Sequence, residues 1–422
     1  MRKFFFGVFI TILFFCLHGS SQTIQIKATP DASVDYGRLS RIDTLINNYI
    51  GKGWLNGMVV LIVKDNQLIL SKGFGYSDID SKKPMVPDAL FRLASQTKAV
   101  VSAGIMCLWE EGKFYLDEPI SDFIPAFAHP RVLETFDPAD SSYTTIPAKK
   151  EISFRDLLTH TSGLDYPGIG SEKMKAIYAK AGIPGGLGNI DRDLKERMNA
   201  LAKLPLAHQP GEKWTYGLSV DLLGCLIEII SGKDLETFLH HSIFLPLGMK
   251  DTYFNVPSAK ADRLTTVYTE DSTHHIVKWS KDHFGVDPGY PLQTKHYFSG
   301  GAGLTSTAFD YAIFLQMLLN GGRYNGVQVL APRTVQLMTS GQLDFMFNGK
   351  DNFGLGFGIT TDRSAAREPR NAGSFSWGGF FGTTYWADPK SKMACLIMTQ
   401  QTPNSHGDIS GKVEQLIYQS LR

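Results

Sequence analysis

The sequence has almost no surplus of charge: 42 Lys and Arg against 41 Asp and Glu leave a formal net charge of +1 in 422 residues. There is therefore no electrostatic reason to expect a nucleic acid partner. Cysteine is scarce too, with four in the chain. Cys16 lies in an N-terminal apolar run, while Cys107, Cys225 and Cys395 stand singly among apolar residues. That unclustered odd set reads as buried free thiols rather than a disulfide framework. No Cys/His cluster has zinc spacing, and His274-His275 are adjacent in a polar loop rather than on one helical face, so no metal or other cofactor is implied. The run from Phe4 to Leu17 is too short to span a bilayer comfortably. A Gly-x-Ser-x-Gly elbow is absent, which disfavours a usual α/β-hydrolase.

What is present is ordinary globular material, 43% hydrophobic and 20% charged, enough for a large core. Arg2 and Lys3 precede the apolar run, and Gly19-Ser20-Ser21 offers small residues for cleavage before Gln22. Residues 1–21 are expected to be a signal peptide that sends the protein to the periplasm or outside the cell. Phe15 is bulky where lipid attachment at Cys16 would need a small residue, so no membrane anchor is expected after cleavage. Residues 22–38 read as a linker and 39–422 as the folded domain.

Strand signals cluster at both ends of that domain. After a helix near Leu39 to Tyr49, Met58–Val63 and Gln67–Leu70 flank Lys64-Asp65-Asn66 as a hairpin. Phe380–Ala387 and Met393–Thr399 flank Asp388-Pro389-Lys390-Ser391 as a second. Phe353–Ile359 reads as one further strand and Gly411–Leu421 as a closing helix. The simplest assembly is α+β: one antiparallel sheet built from both ends and flanked by helices, with a mostly helical insertion over about 82–304.

Within the insertion, Ser95-Gln96-Thr97-Lys98 is the only Ser-x-x-Lys in the chain. Residues i and i+3 share a helical face, so the Lys98 ammonium can reach the Ser95 hydroxyl, a nucleophile and base pair. Spacing alone does not separate this from a solvated lysine after a capping serine. The helix it opens does: Ser95–Glu111 is apolar almost all round and should be buried, with Gly112 as its stop. A lysine in the first turn of such a helix rarely reaches solvent and needs a partner or a depressed pKa.

Ile152 to Leu164 contains Ser153-x-x-Asp156, a short helix and a Gly163 stop, consistent with a well-capped helix. His160 within it is disfavoured as a catalytic base, because no acidic partner for it is evident. Pro210-Gly211 runs to Trp214-Thr215-Tyr216, followed by a helix Val220–Ser231 closed by Gly232. Trp377-Gly378-Gly379 places glycines at a strand start, where a ligand can approach the backbone closely.

Taken in order, Ser95-x-x-Lys98, Leu158-Thr159-His160-Thr161-Ser162-Gly163, Tyr216, Pro246-Leu247-Gly248-Met249, Gly301-Ala302-Gly303-Leu304 and Trp377-Gly378-Gly379 resemble the serine β-lactamase and penicillin-binding superfamily. The resemblance runs from about Leu39 to the C-terminus and is closest to the class C-like branch and its family VIII carboxylesterases. It implies an active site in a cleft between the sheet and a helical domain. It also implies that Ser95 attacks a carbonyl, that Lys98 and Tyr216 share its proton with Tyr216 as the base, and that the Ser95 and Phe380 N–H groups stabilise the oxyanion. Trp377, Gly378, Gly379 and Leu218 would complete the substrate-binding set.

Two departures narrow the substrate. Class C β-lactamases carry Tyr-x-Asn where this chain has Tyr216-Gly217-Leu218, and Lys-Thr-Gly where it has Trp377-Gly378-Gly379. Loss of the amide and of the cation points to small, neutral esters. A β-lactamase or D-alanyl-D-alanine carboxypeptidase is the alternative, and a catalytically inactive, penicillin-binding-like interaction protein the second. The expected partner is a small ester or amide, with oligomeric state open. Tyr166 to Leu204, with Pro167-Gly168-Ile169-Gly170 and Pro184-Gly185-Gly186, suits either a mobile cover over the cleft or an ordinary surface insertion.

Overall fold

A computed structural model describes residues 23–26, 29–188, 193–281, 285–343, 346 and 351–422. The expected signal peptide, 1–21, lies outside them. Eight strands form one antiparallel sheet: β1 (Gly57–Lys64), β2 (Gln67–Asp78), β3 (Lys83–Pro84), β4 (Asp351–Phe353), β5 (Gly358–Thr360), β6 (Phe375–Gly378), β7 (Thr384–Asp388) and β8 (Met393–Met398). Their spatial order is β4-β5-β6-β7-β8-β1-β2-β3. The two ends of the chain therefore meet at the sheet centre, where Val59 of β1 lies opposite Met398 of β8.

β1 is apolar from Met58 to Val63 because both its faces are covered. Val59, Leu61 and Val63 join one core with residues of the helix Ala308–Leu319. Met58, Val60 and Ile62 join another with Ile42 and Ile46 of the helix Arg41–Gly51 and with Ile409, Val413 and Ile417 of the helix Ile409–Gln419. Period-two alternation thus feeds two layers of helices from one strand. Each such side chain contributes roughly 1.5–3 kcal/mol by burial. Asp65 and Asn66, at φ 47° and 60°, make the left-handed turn that a two-residue hairpin requires.

Three sequence expectations shift. Phe353–Ile359 is not one strand: β4 and β5 are paired arms of a hairpin, with Gly356 at φ 94° between them. The second hairpin begins at Thr384 rather than Phe380, because residues 380–382 turn, with Gly382 N–H donating to Gly379 O at 2.9 Å. Trp377-Gly378-Gly379 consequently ends β6 instead of opening a strand.

The inserted region is mostly helical but also carries the hairpins Arg131–Phe136/Tyr143–Pro147 and Tyr268–Glu270/Ile276–Lys278. At its centre the helix Thr97–Glu110 packs on the helix Ser219–Ser231. Gly112 and Gly232 follow these two helices with φ of 72° and 69°, the left-handed ends that their positions predict. The Ser153/Asp156 capping box starts the short helix Phe154–Leu158. That helix stops before Gly163, and His160 takes the first left-handed conformation at φ 57°.

Candidate active site

Phe91-Arg92 pairs with Thr305-Ser306, and the chain then has to turn sharply into the Ser95 helix. Ala94 makes that turn at φ 44°, which costs a residue with a Cβ about 1–2 kcal/mol. The strain is held by neighbours: Leu93 N–H donates to Leu304 O at 2.9 Å and Tyr311 OH to Gln96 O at 2.8 Å. Ser95 therefore sits on a fixed 3₁₀ turn, Ala94–Gln96, at the foot of a buried helix.

Lys98, one turn on, is 2% exposed. Its Nζ donates to Ser95 Oγ at 3.2 Å, to Tyr166 OH at 3.4 Å and to Gly301 O at 2.8 Å. Gly301 is required by close approach, since a Cβ there would lie 2.3 Å from Asp221 Oδ2. The three oxygens suit either protonation state. An ammonium can donate to all three, and a neutral amine can donate to two while accepting from the serine hydroxyl.

Tyr216 joins this group differently from the sequence expectation. Lys98 Nζ lies over its ring, 4.6 Å from the centroid, and its hydroxyl receives a bond from Trp377 Nε1 at 3.4 Å. The ring stacks on Tyr166 with centroids 5.5 Å apart. Trp214, at 6.0 Å, and Trp377, at 5.6 Å, enclose it further. Tyr216 can be brought this close because Gly217 passes against Leu164, whose carbonyl oxygen would be 2.1 Å from any Cβ.

Gly379 does the same for the other wall. A Cβ there would meet Leu93 O at 2.2 Å and Thr383 Oγ1 at 2.3 Å, so glycine lets the end of β6 reach the Ser95 turn. Phe380 then joins Ser95 in lining a cavity of about 390 Å³. Its other walls include Ala94, Tyr166, Ile169, Leu187 and Val286, a mainly apolar set. A larger groove of about 540 Å³, with Glu134, Lys173 and Lys213 in its walls, reaches Tyr216 and Trp214 but not Ser95. The smaller cavity is the one that Ser95 lines.

Among the described residues, the segment 166–204 supplies cavity wall at residues 166–169 and at Gly185 and Leu187. Its helices Glu172–Lys180 and Leu194–Leu201 bury Met174, Ile177, Tyr178, Leu194, Met198 and Leu201 in the core. Leu218, expected among the substrate-binding residues, is fully buried in that core and does not line the cavity. Its position at the start of the helix Ser219–Ser231 turns the side chain into the helix packing.

Burial lowers the His160 imidazole to about 3, with the Lys98 charge acting in the same direction. Neither ring nitrogen has a hydrogen-bond partner among the described residues. The ring packs on Tyr216, centroids 5.1 Å apart, and the His160 carbonyl accepts from Thr215 N–H at 2.8 Å. His160 thus contributes a neutral ring packed against Tyr216.

A family model described as Beta-lactamase matches residues 42–418, nearly the whole of the described fold. The chain belongs to the beta-lactamase family. An uncharacterized protein of Mycobacterium tuberculosis is 35% identical over 374 residues, which cover 86% of this chain and 90% of that one. Esterase EstB of Burkholderia gladioli is 29% identical over 388 residues, 87% of this chain and 92% of EstB. Among solved structures, EstCE1, described as a hydrolase with promiscuous acyltransferase activity, superposes with a TM-score of 0.79 at 27% identity, covering 91% of this chain and 99% of EstCE1. This member of the beta-lactamase family is thus a serine β-lactamase-fold hydrolase related to esterases.

Two residues at the centre of its site went unassigned in the sequence. Tyr166 appeared only as the first residue of an insertion. Asp221 was not singled out within the helix Val220–Ser231, yet it is fully buried and accepts from Ser299 Oγ at 2.7 Å. Burial raises its carboxyl above the usual carboxylate range, opposed by the Ser299 hydrogen bond and the Lys98 charge. A polar residue on an otherwise apolar helix face was the available signal for Asp221. Tyr166 had none, because an aromatic residue in a loop is ordinary.

Proposed function

We propose that this protein is an exported serine carboxylesterase that cleaves small, neutral esters through an acyl-enzyme on Ser95. The observation that carries the reading is the Ser95 Oγ to Lys98 Nζ contact, 3.2 Å, at the edge of an apolar cavity of about 390 Å³. Ser95 attacks the ester carbonyl carbon and passes its proton to the Lys98/Tyr216 pair. The N–H groups of Ser95 and Phe380 receive the oxyanion, placed by the Gly379 contact with Leu93. Collapse releases the alcohol, and a water activated by the same pair later frees the acid.

The absence of a lysine at Trp377 favours an uncharged acyl group over a lactam or a peptide carboxylate. The relative named as an esterase, EstB, supports the same direction. Export rests on residues 1–21, and a mature N-terminus at Gln22 in mass spectra of the secreted or periplasmic fraction is the expected result.

A p-nitrophenyl ester series run beside nitrocefin and a D-alanyl-D-alanine peptide tests the reading, with a fluorophosphonate probe reporting on Ser95. Short-chain esters should be turned over far faster than the lactam or peptide, and Ser95→Ala should lose about 10⁴-fold or more in kcat/KM. Faster cleavage of nitrocefin or of the peptide would replace the esterase reading. Absence of both labelling and turnover would make the protein a binding module.

A further inference from the structure

We infer that Tyr166 is a catalytic residue, the proton donor to the departing alcohol, supplied through Lys98 with the proton that Ser95 gives up. The assignment rests on the esterase reading above and adds a group to it. Three observations place Tyr166 in the reaction. Its side chain lines the same cavity as Ser95 and Phe380. Its hydroxyl is 3.4 Å from Lys98 Nζ, which is itself 3.2 Å from Ser95 Oγ. The third donor position of Lys98 is fixed on Gly301 O at 2.8 Å, so the ammonium is held between serine and phenol.

Tyr216 is less suited to this task. It is not part of the wall of the Ser95 cavity, and no hydrogen bond joins its hydroxyl to Lys98 among the described residues; its hydroxyl oxygen accepts from Trp377 Nε1 instead. The two stacked tyrosines divide the work: Tyr216 belongs to the pair that takes the serine proton, and Tyr166 delivers one to the leaving group. Burial, then the charge of Asp221 and the neighbouring Tyr216, pushes the Tyr166 phenol well above its ordinary value. It therefore keeps its proton through the neutral range and has one to give.

The step balances. The bond from Ser95 Oγ to the carbonyl carbon forms as the serine proton moves to the Lys98/Tyr216 pair and the carbonyl electrons move onto oxygen. On collapse the carbon–oxygen bond to the alcohol breaks, and the leaving oxygen takes the Tyr166 proton. The Tyr166 phenolate takes the proton carried by Lys98. The products are acylated Ser95 and a neutral alcohol, with both tyrosines and Lys98 as they began. Deacylation runs the same path with water in place of the alcohol.

The test compares Tyr166→Phe with the parent enzyme on two esters of one acyl group, ethyl butanoate and p-nitrophenyl butanoate. A nitrophenolate leaves without a proton, whereas an ethoxide does not. Tyr166→Phe should lower kcat/KM for the ethyl ester by about 10²–10⁴-fold, the usual worth of general acid catalysis, and for the nitrophenyl ester by less than about tenfold. Fluorophosphonate labelling of Ser95 in the variant confirms that the nucleophile and fold survive. Equal losses on both esters, or an unchanged rate with the ethyl ester, overturn the assignment. Should the variant fail to fold, the parent enzyme decides on a series of esters with increasingly basic alcohols: a shallow dependence supports the donor and a steep one overturns it. A parent enzyme inactive on both esters refutes the esterase reading itself and takes the donor with it, whereas equal losses refute the donor alone.

Discussion

Lys98 and His160 are both buried within one aromatic cluster, 2% and 1% exposed, yet among the described residues Lys98 has three oxygen partners and the His160 ring nitrogens have none. A buried polar group needs hydrogen-bond partners to offset its loss of water. Lys98 has them in Ser95, Tyr166 and Gly301. His160 is instead confined to its neutral form by burial, and what it contributes is shape: a ring against Tyr216 and a carbonyl that anchors Thr215. Residue type alone would have ranked the two the other way, since histidine is the usual proton carrier near neutral pH.

The comparison breaks most visibly at Lys98. Lys98→Met, which keeps the length of the side chain and removes the amine, should lower kcat/KM on esters by about 10²–10⁴-fold while the protein stays folded, measured by steady-state kinetics and circular dichroism. A Lys98→Met enzyme of near-parental activity would place Lys98 beside His160 as a packing residue.

Next in size is Gly379→Ala. Its Cβ would meet Leu93 O and Thr383 Oγ1 at 2.2 and 2.3 Å, so the end of β6 must move off the Ser95 turn. Displacing one oxyanion donor costs about 10²–10³-fold in kcat, and KM should change less. A rise in KM with kcat unchanged would assign Gly379 to substrate binding instead.

His160→Phe should have the smallest effect on rate, within about tenfold, because it replaces one buried ring by another of similar size. Its signature is in acid stability. The His160 ring stays neutral in the fold down to about pH 3, whereas in the unfolded chain it takes a proton near 6.5. Stability from this source is complete above pH 6.5 and falls as the pH drops from there towards 3, by about 1.4 kcal/mol per pH unit. Urea unfolding of His160→Phe between pH 7 and pH 4 should therefore show a shallower loss than the parent. An identical slope would mean that the folded protein admits the proton after all.

Local physics explains which parts of the molecule could be read in advance. The β1–β2 turn was legible because Asp-Asn tolerates the left-handed conformation that a tight hairpin needs. The Ser95 helix was legible from an all-round apolar sequence bounded by Gly112. Where tertiary packing decides, the reading slipped. The apolar, glycine-rich run 353–359 has strand composition, yet it folds back at Gly356, where a Cβ would strike Ser102 Oγ at 2.3 Å on the helix behind. Phe380 has strand composition as well, but Gly379 and Gly382 bend it toward Ser95.

The nucleophile and its lysine are three residues apart, so helical geometry alone brings them together, and the sequence contains everything needed to see it. The other oxygens that meet the Lys98 amine come from 68 residues away, at Tyr166, and 203 residues away, at Gly301. No periodicity reports such contacts. They exist because the helix Thr97–Glu110 is packed on all sides, and the atoms that surround Lys98 are chosen by that packing. The sequence determines that a serine and a lysine share a turn; the tertiary fold decides which other groups the lysine meets.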